Sequence, residues 1–265
     1  MEDIHEIAEV CQRAARAGGK VLLDWAERFT VREKGPADLV TEADLAAEQV
    51  VRQTIADTFP LDRFIGEESA DSATVETILN ESTSCVWVVD PLDGTTNYAH
   101  RNPFYACSVA AVRGGQILAG VVYQPVTDDC YVAVRGQGAA LNGKRLRASS
   151  ISAVHSALVA VSLPPKIRRN AAVVQQFLSI LEQAQAIRRT GSAALNMCYV
   201  ASGRLDAYWA MSTSAWDIAA GALLVTEAGG TVSDVHGGPF DLSRPHPLAA
   251  ATPELRDALG LLLRA

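Results

Sequence analysis

The sequence predicts an α/β (α+β) fold in two closely packed halves that meet near residue 150, a larger one over 1–150 and a smaller one over 151–265. Three observations carry that expectation. Apolar residues recur at helical spacing through the first 25 positions, β-rich runs punctuated by turn residues follow from 105 to 142, and strands and helices alternate after Ser149. With 49% hydrophobic residues among 265, the chain has ample material for a large core. No internal repeat or long linker interrupts it, so independently mobile domains are not expected.

The elements follow in order. Ile4, Ile7, Cys11, Ala14, Ala15, Val21, Leu22 and Trp25 mark an amphipathic helix. A second helix starts after Thr41, with Leu45, Val50, Val51, Ile55 and Phe59 apolar and Pro60 just past its end. Residues 85–89 form a buried strand that ends by delivering Asp90. Runs at 107–112, 117–123 and 130–134, separated by Gly114-Gly115 and by 125–129, read as an antiparallel meander, giving this half a mixed or antiparallel sheet. The second half reads as strand 158–161, helix 171–185, strand 186–189, helix 192–201 closed by Gly203, and strand 205–209. Helix 216–228 closed by Gly229-Gly230, strand 231–235 and a last helix from Pro253 complete it.

Bulk chemistry narrows the class. The opening Met1-Glu2-Asp3-Ile4-His5-Glu6 is acidic and not followed by the features of a secretory signal, and apolar runs fall far short of the roughly 20 residues of a membrane span. The five cysteines are scattered without a Cys-x-x-Cys pair, which suggests reduced, buried thiols and, with them, a cytoplasmic location. A net charge of -7 disfavours nucleic-acid and anionic-membrane partners. It also means that a site for a phosphate would have to recruit positive charge from bound cations.

Asp90-Pro91-Leu92-Asp93-Gly94-Thr95-Thr96-Asn97 is the string that carries chemistry. Pro91 prevents a continued ladder, so the chain should turn where the strand ends. Gly94 permits close backbone approach, and Thr95 or Thr96 can cap a following helix. Two carboxylates, the Leu92 carbonyl and the Gly94 and Thr95 amides then surround one point: hard-cation ligands beside an anion-binding helix start. The first five residues alone read equally well as a turn. The eight together point to metal-assisted phosphoryl transfer to water.

That string resembles the signature of the inositol monophosphatase family, within the superfamily that includes fructose-1,6-bisphosphatases and bisphosphate nucleotidases. Further motifs fall in the same order: Asp38-Leu39-Val40-Thr41-Glu42-Ala43-Asp44, Phe64-Ile65-Gly66-Glu67-Glu68-Ser69, and Trp216-Asp217-Ile218-Ala219-Ala220-Gly221 running to Gly230. The resemblance implies a layered αβαβα sandwich and a magnesium-dependent phosphomonoesterase binding two to three Mg2+. It implies that Glu67, Asp90 and the Leu92 carbonyl hold one ion and that Asp90, Asp93 and Asp217 hold a second. Glu67 and Thr95 would orient the attacking water, Asp44 would fix the Thr95 hydroxyl, and Lys34 would contact site water. Thr41 to Asp44 also reads as a helix capping box. Asp93, Gly94, Thr95, Gly191, Ser192, Ala193 and Asp217 would face the substrate, a small phosphate ester such as inositol 1-phosphate, and a homodimer is implied by the same analogy.

On the substrate side the pattern departs. In inositol-specific members an acidic residue is expected seven positions before the Asp of the Trp-Asp motif, and here that position is Ala210. The loss of one hydroxyl-reading group opens the alternatives of histidinol phosphate, fructose 1,6-bisphosphate or a nucleotide phosphate. A non-catalytic binding protein of the same fold is the rival class, but Glu67, Asp90, Asp93 and Asp217 are all present. Residues 138–144 mimic a phosphate-binding P-loop, yet Arg145 stands where Ser or Thr is needed, and Asn142-Gly143 reads as a β-turn.

Overall fold

The computed structural model describes residues 3–28, 31–35, 38–70, 72–81, 84–164, 166–169 and 171–264, with the side chains of 31–40, 72–74 and 80–81 outside the description. Its elements are α1 (Ile4–Trp25), β1 (Val31–Gly35), β2 (Asp38–Thr41), α2 (Glu42–Ala56), β3 (Arg63–Gly66), α3 (Ser72–Glu81), β4 (Val86–Asp93) and α4 (Thr95–Ala99). There follow β5 (Ala106–Arg113), β6 (Gln116–Gln124), β7 (Asp129–Val134), β8 (Gly138–Leu141), β9 (Lys144–Arg145), β10 (Leu158–Ser162), α5 (Ala172–Gln183), β11 (Ala186–Arg188) and α6 (Ala193–Ala201). The chain closes with β12 (Ala207–Ala210), α7 (Ala215–Glu227), β13 (Thr231–Asp234), β14 (Pro247–Ala250) and α8 (Pro253–Arg264).

Side-chain alternation along the strands builds the layers. In β4 Trp87 and Val89 point to one face of a seven-stranded sheet, ordered β3-β4-β5-β6-β7-β8-β9, and pack on α1 and α2. Val86 and Val88 point to the other face and pack on α6 and α7. A five-stranded sheet, β11-β10-β12-β14-β13, turns Tyr208, Ala210 and Ala249 onto that same helix pair. Its opposite face, with Val159, Val161, Trp209 and Leu248, is covered by α5 and α8. The result is the expected αβαβα sandwich, held because a strand period of two gives each sheet two apolar faces and each face needs a helical layer.

Most of the local reading is borne out: α1 spans the expected positions, and the meander is β5, β6 and β7 with antiparallel registers. The P-loop mimic is the β8–β9 hairpin, whose Asn142 and Gly143 both have positive φ, of 48° and 77°. All five cysteines are buried thiols outside any disulfide. Among the described residues no helix is long and apolar enough to cross a membrane.

One expectation is corrected. The strand does not end at Asp90 but runs to Asp93, all eight of its residues buried, with a register shift between Asp90 and Asp93 before Asp93 pairs with Ala106. Pro91 is accommodated because β3 stops pairing at Gly66 opposite Val89, and on the β5 side the bulge leaves Pro91 outside the ladder. The bulge turns successive carboxylates into one region.

Candidate metal and phosphate site

Hydrogen bonds place three of the site's acidic residues, two of them locally and one across the fold. The Leu92 N–H donates to Asp90 Oδ1 at 3.0 Å, a turn within the bulge that fixes the Asp90 side chain. Asp217 lies in the first turn of α7, where its Oδ2 accepts the Ser214 N–H at 2.8 Å as half of a capping box. Asp93 crosses to the N-terminus of α6: Oδ1 accepts the Ala193 N–H at 3.0 Å, Oδ2 accepts the Ala194 N–H at 2.9 Å, and the Ser192 hydroxyl donates to Oδ2 as well. The two amide donors are unsatisfied first-turn N–H groups of a helix, and the dipole there favours a carboxylate.

Asp44 lies against both groups that its sequence context offered it. Oδ2 accepts the Thr41 N–H at 2.8 Å and the Thr41 hydroxyl at 2.6 Å, completing the capping box of α2. Oδ1 faces the Thr95 hydroxyl at 3.4 Å, and that hydroxyl also lies 3.1 Å from the Leu92 carbonyl. Gly94 starts α4 with φ 99°, and a Cβ there would lie 3.0 Å from the Phe104 carbonyl, so both conformation and space require glycine.

The electrostatics are those of a carboxylate cluster. Burial and the charges of Glu67, Asp93 and Asp217 hold the Asp90 carboxyl well above its ordinary range. Burial, then repulsion from Asp93, raises Asp217 to about 7, against the bonds it accepts. Burial raises Asp93 to about 6, with the α6 donors limiting the rise. Asp44 is likewise pushed up to about 6 by burial. Such buried acids are costly alone and are stabilised by a cation. An all-oxygen donor set of three carboxylates, Glu67 and the Leu92 carbonyl suits a hard divalent ion. Among the described residues no three acidic, His or Cys side chains are gathered tightly enough to enclose an ion.

Beside the cluster opens a cavity of about 510 Å3, lined by Asp93, Asp217, Gly191 and Ala193 among others. Sequence reasoning missed several of its walls: Thr96, Asn97, Ser162, Arg189, Thr190, Ser212 and Thr213. The Asn97 amide donates to the Phe104 carbonyl at 2.7 Å and to the Thr190 carbonyl at 2.9 Å, tying the motif to the 190–193 segment. Gly94 and Thr95 do not line this cavity, and Ser192 is buried at 1% exposure behind it, so these three reach it only through their neighbours. Lys34 lies on β1, but its side chain is outside the described residues. Ala210 is fully buried in the shared core, so it offers nothing to the cavity; Ser212 and Thr213, just beyond it, do.

The sequence matches the inositol monophosphatase family over residues 3–264. A protein of Pseudomonas aeruginosa named Nus factor SuhB is 41% identical over 249 residues, 92% of this chain and 90% of that one. The chain belongs to the inositol monophosphatase family. A Rhizobium meliloti relative named inositol-1-monophosphatase is 40% identical over 86% of this chain and 84% of its own. The crystal structure of extragenic suppressor protein suhB from Bartonella henselae superposes with a TM-score of 0.89 at 35% identity, covering 98% of each chain. Membership accounts for the order of the four motifs, while the name of each relative describes that relative alone.

Proposed function

We propose that this chain is a magnesium-dependent phosphomonoesterase that hydrolyses a small polyol or sugar phosphate, inositol 1-phosphate first among those to test. The observation that carries the reading is Asp90, buried at 2% exposure with Glu67, Asp93 and Asp217 as the charges acting on it, beside a cavity that Asp93 and Asp217 also line. Glu67, Asp90, Asp93, Asp217 and the Leu92 carbonyl would hold two to three Mg2+. Bound there, the ions would lower the pKa of water and neutralise charge on the leaving oxygen.

The chain's own residues supply the rest. The Thr95 hydroxyl, held between Asp44 and the Leu92 carbonyl, is a positioned group for the attacking water. Ser212, Thr213 and Arg189 replace the acid missing at position 210 as readers of substrate polar groups. Residues 1–150 and 151–265 act as two halves, the second bringing Asp217 and the 191–193 segment. Homodimeric assembly and a cytoplasmic location belong to the same reading, and light scattering tests the first.

The name Nus factor on a 41% identical relative favours a second reading, a partner-binding protein of the same fold. Retention of all four acidic residues favours catalysis, because a purely structural role exerts no pull to keep buried like charges together. A phosphate-release panel with and without magnesium separates the two. Release from no substrate in the presence of Mg2+ would leave the binding role.

A further inference from the structure

Helix α2 carries a second acid one turn after Asp44 that the mechanism does not use. Glu48 is 6% exposed, and its Oε2 accepts the Glu68 N–H at 2.9 Å across 20 residues of sequence. Positions i and i+4 share a helix face, so Asp44 and Glu48 point the same way, one at Thr95 and the other at the turn after β3. That turn contains Glu67. Other restraints on it include the Glu67 N–H on the Val89 carbonyl at 3.1 Å and the Ser69 and Ala70 amides on the Gly66 carbonyl at 3.2 and 2.8 Å.

Two further details show that the turn is fitted to Glu48. A Cβ at Gly66 would lie 2.2 Å from Glu48 Oε2, so only glycine lets the carboxylate sit against the backbone. One more turn along α2, Arg52 lies 3.8 Å from Glu48 Oε1, donates to the Ser69 hydroxyl at 2.7 Å and stacks over the Phe64 ring at 3.9 Å. A buried carboxylate whose oxygens meet a backbone amide and an arginine is stabilised where it stands and transmits its position to the amide.

We infer that Glu48 is a positioning residue for the metal site: by holding the Glu68 amide it aims Glu67, so that α2 aligns the Glu67 and Thr95 motifs from a single helix face. The inference rests on the proposed role of Glu67 in metal binding. Residues that orient ligands in this way typically change metal affinity or activity about 10–100-fold when lost.

The test compares Glu48→Ala, which removes the acceptor, with Glu48→Gln, which keeps one. In metal-free protein, hydrogen exchange at the Glu68 amide should accelerate about 10-fold or more in Glu48→Ala and remain near wild type in Glu48→Gln. With substrate, the Mg2+ concentration for half-maximal rate should rise about 10–100-fold in Glu48→Ala, while kcat at saturating Mg2+ stays within about 3-fold and Glu48→Gln behaves as wild type. Should Glu48→Ala fail to fold, Gly66→Ala, whose Cβ would crowd Glu48 Oε2 and the Phe64 ring, displaces the same carboxylate with Glu48 intact and should both accelerate exchange at the Glu68 amide and raise the Mg2+ requirement. Unchanged exchange at Glu68 and an unchanged Mg2+ requirement overturn the inference, as does a Gln variant as impaired as the Ala one. A wild-type protein without Mg2+-dependent phosphate release defeats the functional reading instead, and the exchange experiment still reports whether Glu48 holds the turn.

Discussion

Replacing Asp90 with Asn removes a charge and almost no volume, so its consequences separate electrostatics from packing. The Asn carbonyl can still accept the Leu92 N–H that Asp90 Oδ1 accepts at 3.0 Å. What disappears is an ionisable group opposed by burial and by Glu67, Asp93 and Asp217. One pair of charges about 4 Å apart at an effective dielectric near 20 repels by roughly 4 kcal/mol. Partial protonation of a crowded cluster reduces this, so relief on the order of 2 kcal/mol is expected for the metal-free protein at pH 8. For a chain of this size that corresponds to a Tm about 4–8 °C higher in EDTA. At pH 5, where much of the cluster is protonated, the gain should shrink. Magnesium should stabilise the wild type, by about 2.7 kcal/mol at a hundredfold excess over Kd, and the Asn variant far less. Phosphate release should fall by about 10³-fold or more, the scale on which loss of a principal electrostatic group is felt. Calorimetry at both pH values with EDTA or Mg2+, beside a phosphate-release assay, makes the comparison. An Asn variant destabilised equally at pH 5 and pH 8, and stabilised by magnesium as wild type is, would refute the assignment of Asp90 to a metal-binding cluster.

Other perturbations follow the same chemistry. Asp44, Asp93 and Asp217 have folded-state values of about 6, 6 and 7 against an ordinary 3.8, so between about pH 4 and 7 the native state keeps protons that the unfolded chain has lost. Metal-free stability should therefore fall as pH rises through that window, by on the order of a few kcal/mol, and urea denaturation with Mg2+ present should show a flatter profile. Gly191→Ala forces a Cβ onto a residue at φ 91° and 2.8 Å from Asn97 Nδ2; a loss of roughly 1–3 kcal/mol in stability and a raised KM are expected, and an unchanged KM would detach this segment from substrate binding. Asp206→Ala removes the acceptor of the Ser149 hydroxyl at 2.6 Å and the Leu158 N–H at 2.7 Å, away from the cavity. It should cost about 2–4 kcal/mol in denaturant while leaving KM and the Mg2+ requirement of the folded protein alone.

Several elements are not legible in the sequence, each because the local signal is masked, too short or missing. The hairpin β1–β2 contains Val31-Arg32-Glu33-Lys34-Gly35, too charged to show alternation, and exists through pairing with residues 38–41. The four-residue strands β3 and β14 are too short for a period to register, and β14 is buried on both faces between β12 and β13. Helix α3 has neither a basic last turn nor an acidic first one to announce it. By contrast, α1 and β5 to β7 were readable because their partners impose the same burial period along their whole length.

The chain's own chemistry was written into short strings: two carboxylates around Pro91, Gly94 where φ is positive, and Thr41 with Asp44 as a cap are local facts, decided within a few bonds. What those groups do to one another was decided only by tertiary structure. Asp93 meets the α6 amides across about a hundred residues, Asn97 meets Thr190 across 93, and Glu48 meets Glu68 across 20. Ala210, the visible gap in the sequence pattern, is buried in the core, while Ser212 and Thr213 occupy the wall. A motif sets which atoms are available, but distance, burial and mutual repulsion are properties of the packed layers, and these govern which atoms share a charge, a proton or a ligand.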